Sequence, residues 1–221
     1  MISRLFLLAL LPALCSCSIP GPPRLAVGSC VDLADCESIY PQGHWQFVHL
    51  IEFQLPNGTG GTVIGITVIE GNAVQCALTT TEGMTLFEAE DGDTLKILQA
   101  VPPFDKPGFA EGLMADVRAI FLQPPGAPVC GALADERRTC RFRQQDGKLT
   151  DILPEPDARK CFRIITWSAD HRQTRTITAK DCRLQNEYRQ ARSLTLNSPG
   201  TKGYTLKMSL LQAEQLSPPG E

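Results

Sequence analysis

The run from His44 to Leu55, "HWQFVHLIEFQL", alternates as an extended strand does. Trp45, Phe47, Ile51, Phe53 and Leu55 share one face, and His44, Gln46, Glu52 and Gln54 share the other, because strand side chains change sides at every residue. "PNGTGG" follows, where a proline and Asn57-Gly58 signal a hairpin turn. "TVIGITVIEG" then sets Ile64, Ile66 and Val68 on one side, and "AVQCALTT" groups Val74, Cys76 and Leu78. "MTLFEAE" runs into the turn "DGD", and "TLKILQAV" stops at Pro102-Pro103. Consecutive strands joined by short turns make an antiparallel meander.

The period changes in "PGFAEGLMADVRAIFLQPP". Phe109, Leu113, Val117, Ile120 and Phe121 recur at helical spacing, Glu111, Asp116 and Arg118 fall away from that stripe, and Pro107 and Pro124 bound it. Gly112 lies inside the stretch, and a further strand is the competing reading. After residue 128 the strand period returns, in hairpins turning at Asp146-Gly147, near Ala169-Asp170-His171 and at Ser198-Pro199-Gly200. Between residues 40 and 215 this gives about ten to eleven strands and one helix. The fold class is mainly β (α+β). The expected architecture is a curved antiparallel meander, or half-open β-barrel, with the helix as a lid. The apolar face of such a sheet must be covered, and a half-open barrel needs the helix to cover it. Its concave, apolar interior suits acyl chains or another greasy ligand.

The N-terminus sets the compartment. Arg4 precedes an almost wholly apolar run from Leu5 to Leu14, which is a signal-peptide pattern and shorter than the roughly 20 residues of a spanning helix. "Leu14-Cys15-Ser16-Cys17" then resembles the bacterial lipoprotein signal, with Leu14 three before Cys17 and the small Ser16 directly before it. Cys15 lacks that context. The resemblance implies loss of residues 1–16 and a diacylglycerol thioether on Cys17, with further acylation such as palmitate making the anchor stable. Ser18, in place of an aspartate, implies the outer membrane. "SIPGPPR", Ser18 to Arg24, reads as a short semi-extended tether.

Nine cysteines are present, and seven remain when Cys15 leaves with the signal and Cys17 is lipidated. In an exported chain these suggest disulfides with one cysteine left over. The connectivity is open; Cys30–Cys36, Cys130–Cys140 and Cys161–Cys182 are preferred because each closes a short loop. Cys76, in "AVQCALT", is then the free one, serving as a small hydrophobe.

The remaining chemistry is sparse. The net charge is −3, or −4 without Arg4, and no basic stripe with interleaved aromatics speaks for nucleic acid. No G-x-S-x-G elbow is present. "GTGG" lacks the Gly-Lys-Ser/Thr ending of a phosphate loop, and "DGD" lacks the spaced carboxylates of a calcium loop. The cysteines lack zinc spacing, and His44 and His49 point to opposite strand faces. Neither a metal, a cofactor nor a catalytic set is read, and the chain is expected not to be an enzyme.

Together, "LCSC", the meander from His44 to Val101, the helix "GFAEGLMADVRAIFL" and the closing strands with "ITW" and "GYTLKMSLL" resemble the bacterial lipoprotein-carrier family of LolA and LolB. That resemblance implies an unclosed antiparallel barrel with helices over a hydrophobic cavity, and a carrier of lipid or of lipoprotein acyl chains. The expected organisation is a signal peptide over 1–16, a lipidated tether with a small cysteine loop over 17–40, one β-domain over 41–215 and a tail over 216–221. Trp45, Phe47, Ile64, Ile66, Leu113, Val117 and Trp167 are the cavity-lining candidates. The expected location is the periplasmic face of the outer membrane, with lipid, lipoprotein acyl chains or another envelope protein as partner. The alternative is an anchored interaction domain that docks on an envelope assembly and takes no small ligand.

Overall fold

The computed structural model describes residues 21–28, 36–155, 160–185 and 187–217. Thirteen strands follow in chain order: β1 (Ala26–Val27), β2 (His44–Gln54), β3 (Gly60–Glu70), β4 (Ala73–Thr79), β5 (Thr85–Asp91), β6 (Leu95–Ala100), β7 (Val129–Ala132), β8 (Arg138–Arg143), β9 (Leu149–Pro154), β10 (Lys160–Trp167), β11 (Gln173–Gln185), β12 (Tyr188–Ser198) and β13 (Tyr204–Gln215). They form one sheet in the order β1-β7-β8-β9-β10-β11-β12-β13-β2-β3-β4-β5-β6. Every neighbouring pair is antiparallel, and β1 and β6 do not pair with each other, so the sheet is curved but unclosed. The strands beyond the expected ten or eleven are β1 and β7, of two and four residues. Neither is long enough to show an alternation.

Among the described residues there is one long helix, α1 (Phe109–Phe121), which lies between β6 and β7 in the chain. It starts after Gly108, whose φ of 78° is left-handed, and ends at Leu122, two residues before Pro124. It shares a cavity lining with β13, β2, β3 and β4, so it lies across the middle of the sheet on its concave face. Val117, Ile120 and Phe121 of the predicted stripe are buried and Phe109 and Leu113 are part-buried, while Ala110, Met114 and Asp116, which the stripe did not include, are buried as well. Asp116 stands three residues after Leu113 and four before Ile120, which places it on the apolar face; its charge, not its position, set it apart in the sequence.

Register fixes which side chains point inward. Trp45 pairs with Ile69, Phe47 with Thr67, His49 with Gly65 and Ile51 with Val63. On β3 Val63, Gly65, Thr67 and Ile69 are therefore buried, while Ile64 and Ile66 are only part-buried on the convex face. This corrects the expectation for Ile64 and Ile66. "TVIGITVI" is apolar on both sides, so its alternation does not say which side is in; pairing with Trp45 and Phe47 decides it.

Two disulfides are described. Cys161–Cys182 joins β10 to β11, and Cys36–Cys140 joins the turn before β2 to β8 across 104 residues of sequence. The second replaces both Cys30–Cys36 and Cys130–Cys140. Cys130 and Cys140 are directly opposite on β7 and β8, with Sγ atoms 4.0 Å apart, yet Cys140 is bonded to Cys36. Cys130 is itself disulfide-bonded. Cys30, like Cys17, lies outside the described residues. Cys76 is the free cysteine among the described residues and is buried.

Candidate functional site

The space between α1 and the concave face is the candidate binding region, and it is nearly full. Trp45 stacks on Phe47 with centroids 5.7 Å apart, and Phe47 stacks on Phe121 of the helix at 5.0 Å. Tyr188 meets both Trp45 and Phe47 edge-on, at 5.6 and 6.1 Å. At the other end of the helix Phe109 meets Phe87 and Phe104. Each fully buried aromatic contributes about 1.5–3 kcal/mol of transfer free energy, and ring pairs add to it.

A cleft of ≈ 670 Å³, open to solvent, lies beyond the C-terminal end of α1, where Tyr40, Trp45, Gln123, Leu184 and Tyr188 line it; directly beneath α1, among the described residues, the voids are small. One of ≈ 30 Å³ is lined by His49, Thr67, Cys76, Leu113, Asp116 and Val117 with neighbouring apolar side chains. The other, of ≈ 10 Å³, lies beside Phe47, His49, Phe121 and Tyr188. Each is on the scale of a single water, whereas a ligand pocket occupies about 300–1,000 Å³. These voids directly beneath α1 have no room for an acyl chain; admitting one there requires α1 to move.

Of the sequence candidates, Trp45, Phe47, Leu113 and Val117 meet in this region, the first two buried at 1% exposure. Ile64 and Ile66 do not reach it. Trp167 is buried but stands apart from the main core. It pairs with Leu149, and its Nε1 donates to Asp151 Oδ2 at 3.1 Å on the convex face. The "ITW" run did not show this, because β9 is buried on both faces and the covering chain segment is distant in sequence.

Polar groups clasp the helix from both sides. Asp116 accepts a hydrogen bond from the Tyr204 hydroxyl at 2.5 Å, and its Oδ1 lies 2.5 Å from Arg175 Nη2. That second contact is an ion pair without directed hydrogen-bond alignment. Burial pushes the Asp116 carboxyl up, with the Arg175 charge and the Tyr204 hydroxyl drawing it partly back. The Tyr204 hydroxyl is in turn pushed up to about 12, chiefly by burial. On the far side Arg118 Nε donates to Asp91 Oδ2, and its terminal nitrogens reach the carbonyls of Asp91 and Asn72 at 3.2 and 3.3 Å. One clasp ties α1 to β11 and β13, the other to β5 and the β3–β4 turn.

His49 and Cys76 face the larger void. Burial lowers His49 to about 4, so the ring is neutral at pH 7. Burial also pushes the Cys76 thiol up to about 12, against a hydrogen bond with Thr67, which makes it a packing group rather than a nucleophile. Sequence reasoning passed over His49, Asp116, Arg175 and Tyr204. The signal available was parity, since His49 shares a face with Trp45 and Phe47, and Arg175 shares one with Ile177.

The half-open antiparallel sheet with one helix across its concave face is a LolA-like fold. A solved LolA superfamily protein from Nitrosomonas europaea superposes with a TM-score of 0.60 over 85% of this chain and 93% of that one, at 11% identity. A putative outer membrane lipoprotein-sorting protein domain from Vibrio parahaemolyticus aligns at a TM-score of 0.48 and 8% identity, over 82% of this chain and 89% of that one. No protein-family model matches the sequence, and no curated protein matches it significantly. The likeness is one of fold.

Proposed function

We propose that this chain is an envelope lipoprotein whose helix α1 is a movable lid, and that it carries a lipid, or the acyl chains of another lipoprotein, on the concave face of its sheet. The observation that carries the reading is the construction of the interior. Inward rows on β2, β3, β4 and β13 that are apolar except for His49 and Thr67 are covered by one helix, and two polar clasps at its flanks hold it there. Displacing a helix held in this way exposes a long apolar trough without breaking the sheet. The lipobox ending at Cys17 supports an anchored form at the periplasmic face of the outer membrane, with residues 1–16 removed and 17–40 leading into a β-domain over 41–215. Among the described residues no helix is long and apolar enough to cross a membrane. The carrier role is a binding function with no catalytic step.

The filled interior favours a second reading, an anchored interaction domain that takes no small ligand. Native mass spectrometry of protein purified from envelope membranes, followed by lipid extraction, separates the two. The carrier reading expects stoichiometric lipid beyond the covalent anchor. Apo protein that takes up no lipid when exchanged against envelope extract supports the interaction domain.

A further inference from the structure

Residues 21–28, which begin four residues after Cys17, are docked on the domain. A Cβ built on Gly21 would meet the Cβ of His171, in the β10–β11 turn, at 3.7 Å. Pro23 offers its carbonyl to Arg141 Nη2 at 3.0 Å. Leu25 packs against Gly131, and Ala26 and Val27 pair with Ala132 and Gly131 as strand β1. Gly28 N donates to the Cys130 carbonyl at 3.0 Å. The chain thus enters beside the β10–β11 turn and crosses the convex face of β9 and β8 to β7.

Arg141, which holds this segment, is itself fixed. Its Nε and Nη2 donate to the two oxygens of Asp151 at 2.6 and 2.8 Å, and Asp151 is 1% exposed. Trp167 Nε1 donates to the same carboxylate. A bidentate, buried pair of this kind is rigid, and Pro22 and Pro23 stiffen the segment it grips. The tether therefore does not swing freely from Gly21 onward.

Gly21 lies four residues after Cys17, a reach of about 14 Å at full extension. Gly21 also lies at the end of the sheet that carries the hairpin tips. The β8–β9 turn is beside the β10–β11 turn, since a Cβ on Gly147 would meet Ala169 Cβ at 3.2 Å. The β12–β13 turn is there too, with Ser198 Oγ donating to the Thr174 carbonyl at 3.4 Å.

We infer that this end of the domain, the tips Gln144–Lys148 and Ser168–Arg172, faces the headgroup layer of the bilayer that holds Cys17, in a fixed orientation. The inference rests on the lipidated-Cys17 reading. The surface suits zwitterionic headgroups: Lys148 pairs with Asp146 at 2.7 Å and Arg172 with Asp170 at 2.6 Å, so both signs alternate along it. The β11–β12 turn at Glu187 is at the opposite end and points away from the membrane.

The test uses the full-length lipoprotein in phosphatidylethanolamine–phosphatidylglycerol vesicles that contain headgroup-spin-labelled lipid. A fluorescent non-natural residue replaces Ala169 in one sample and Glu187 in another. Quenching at position 169 several-fold above that at 187 is expected, and a Gly/Ser spacer inserted after Ser18 removes the difference. Equal quenching in the spacer-free protein, or stronger quenching at 187, overturns the orientation while leaving the anchor intact. The mass of the N-terminal peptide reads the anchor separately; an unmodified Cys17 overturns the anchor and the orientation with it.

Discussion

Asp116 is the residue whose environment most constrains the helix. Its carboxylate is 3% exposed and held by Arg175 and Tyr204. Replacing Arg175 by Met strands a buried charge, and should cost about 3 kcal/mol in chemical denaturation at neutral pH. The cost shrinks in acid, because a carboxyl already raised by burial takes a proton readily. The triple change Asp116→Leu, Arg175→Met, Tyr204→Phe should recover most of the loss, since it removes the whole polar set. His49 gives the opposite pH signature. Its folded value, about 4, lies below the ordinary 6.5, so between these the unfolded chain binds the extra proton. Stability that is complete above pH 6.5 is lost as pH falls toward 4, at up to about 1.4 kcal/mol per pH unit. Urea midpoints measured from pH 7 to 4 should fall less steeply in His49→Leu; equal slopes would place the ring in water. Asp116 titrates in both proteins and cancels in the difference. Neither residue announced itself in the sequence, because a charge on a helix reads as solvent-facing until its tertiary partners are known.

Two glycines separate close approach to a side chain from close approach to backbone. At Gly65, under α1, an added Cβ would meet Ile51 Cδ1 at 2.5 Å, the far end of a side chain that can rotate away. At Gly131 it would meet the Ala26 carbonyl oxygen at 2.2 Å, which cannot move without breaking β1 from β7. Gly65→Ala should therefore cost under about 1 kcal/mol, whereas Gly131→Ala should strip hydrogen-exchange protection from the Gly28 amide, which donates to the Cys130 carbonyl, with the sheet otherwise intact. Unchanged protection there would mean that the β1 edge tolerates the shift. The strands from β2 to β6 were legible because polar and apolar residues alternate between turn signals. On β3 the pattern is apolar on both faces, and the pairing partners put the inward row on Val63, Gly65, Thr67 and Ile69 rather than on Ile64 and Ile66. The helix was legible in extent but not in its polar clasps, which depend on strands up to 88 residues away.

At the scale of the whole molecule, the chain's early and late strands meet at the centre of the sheet, where β13 pairs with β2. The Cys36–Cys140 bridge closes a loop of 104 residues around half of it. Replacing both cysteines by serine should cost about 4 kcal/mol, read as a lowered denaturant midpoint in non-reducing buffer. The number of cysteines told of disulfides; their partners did not follow, because strands adjacent in space are distant in sequence, and short loops are a guide only for Cys161–Cys182. The central claim is that α1 lifts and the concave face takes an acyl chain. Photo-crosslinking with a phospholipid that carries a diazirine on its acyl chain, followed by peptide mapping, tests it directly. The account predicts adducts on the inward residues Phe47, His49, Val117 and Phe121. Adducts confined to the convex residues Val48, Ile64 and Ile66, or none at all, would contradict it.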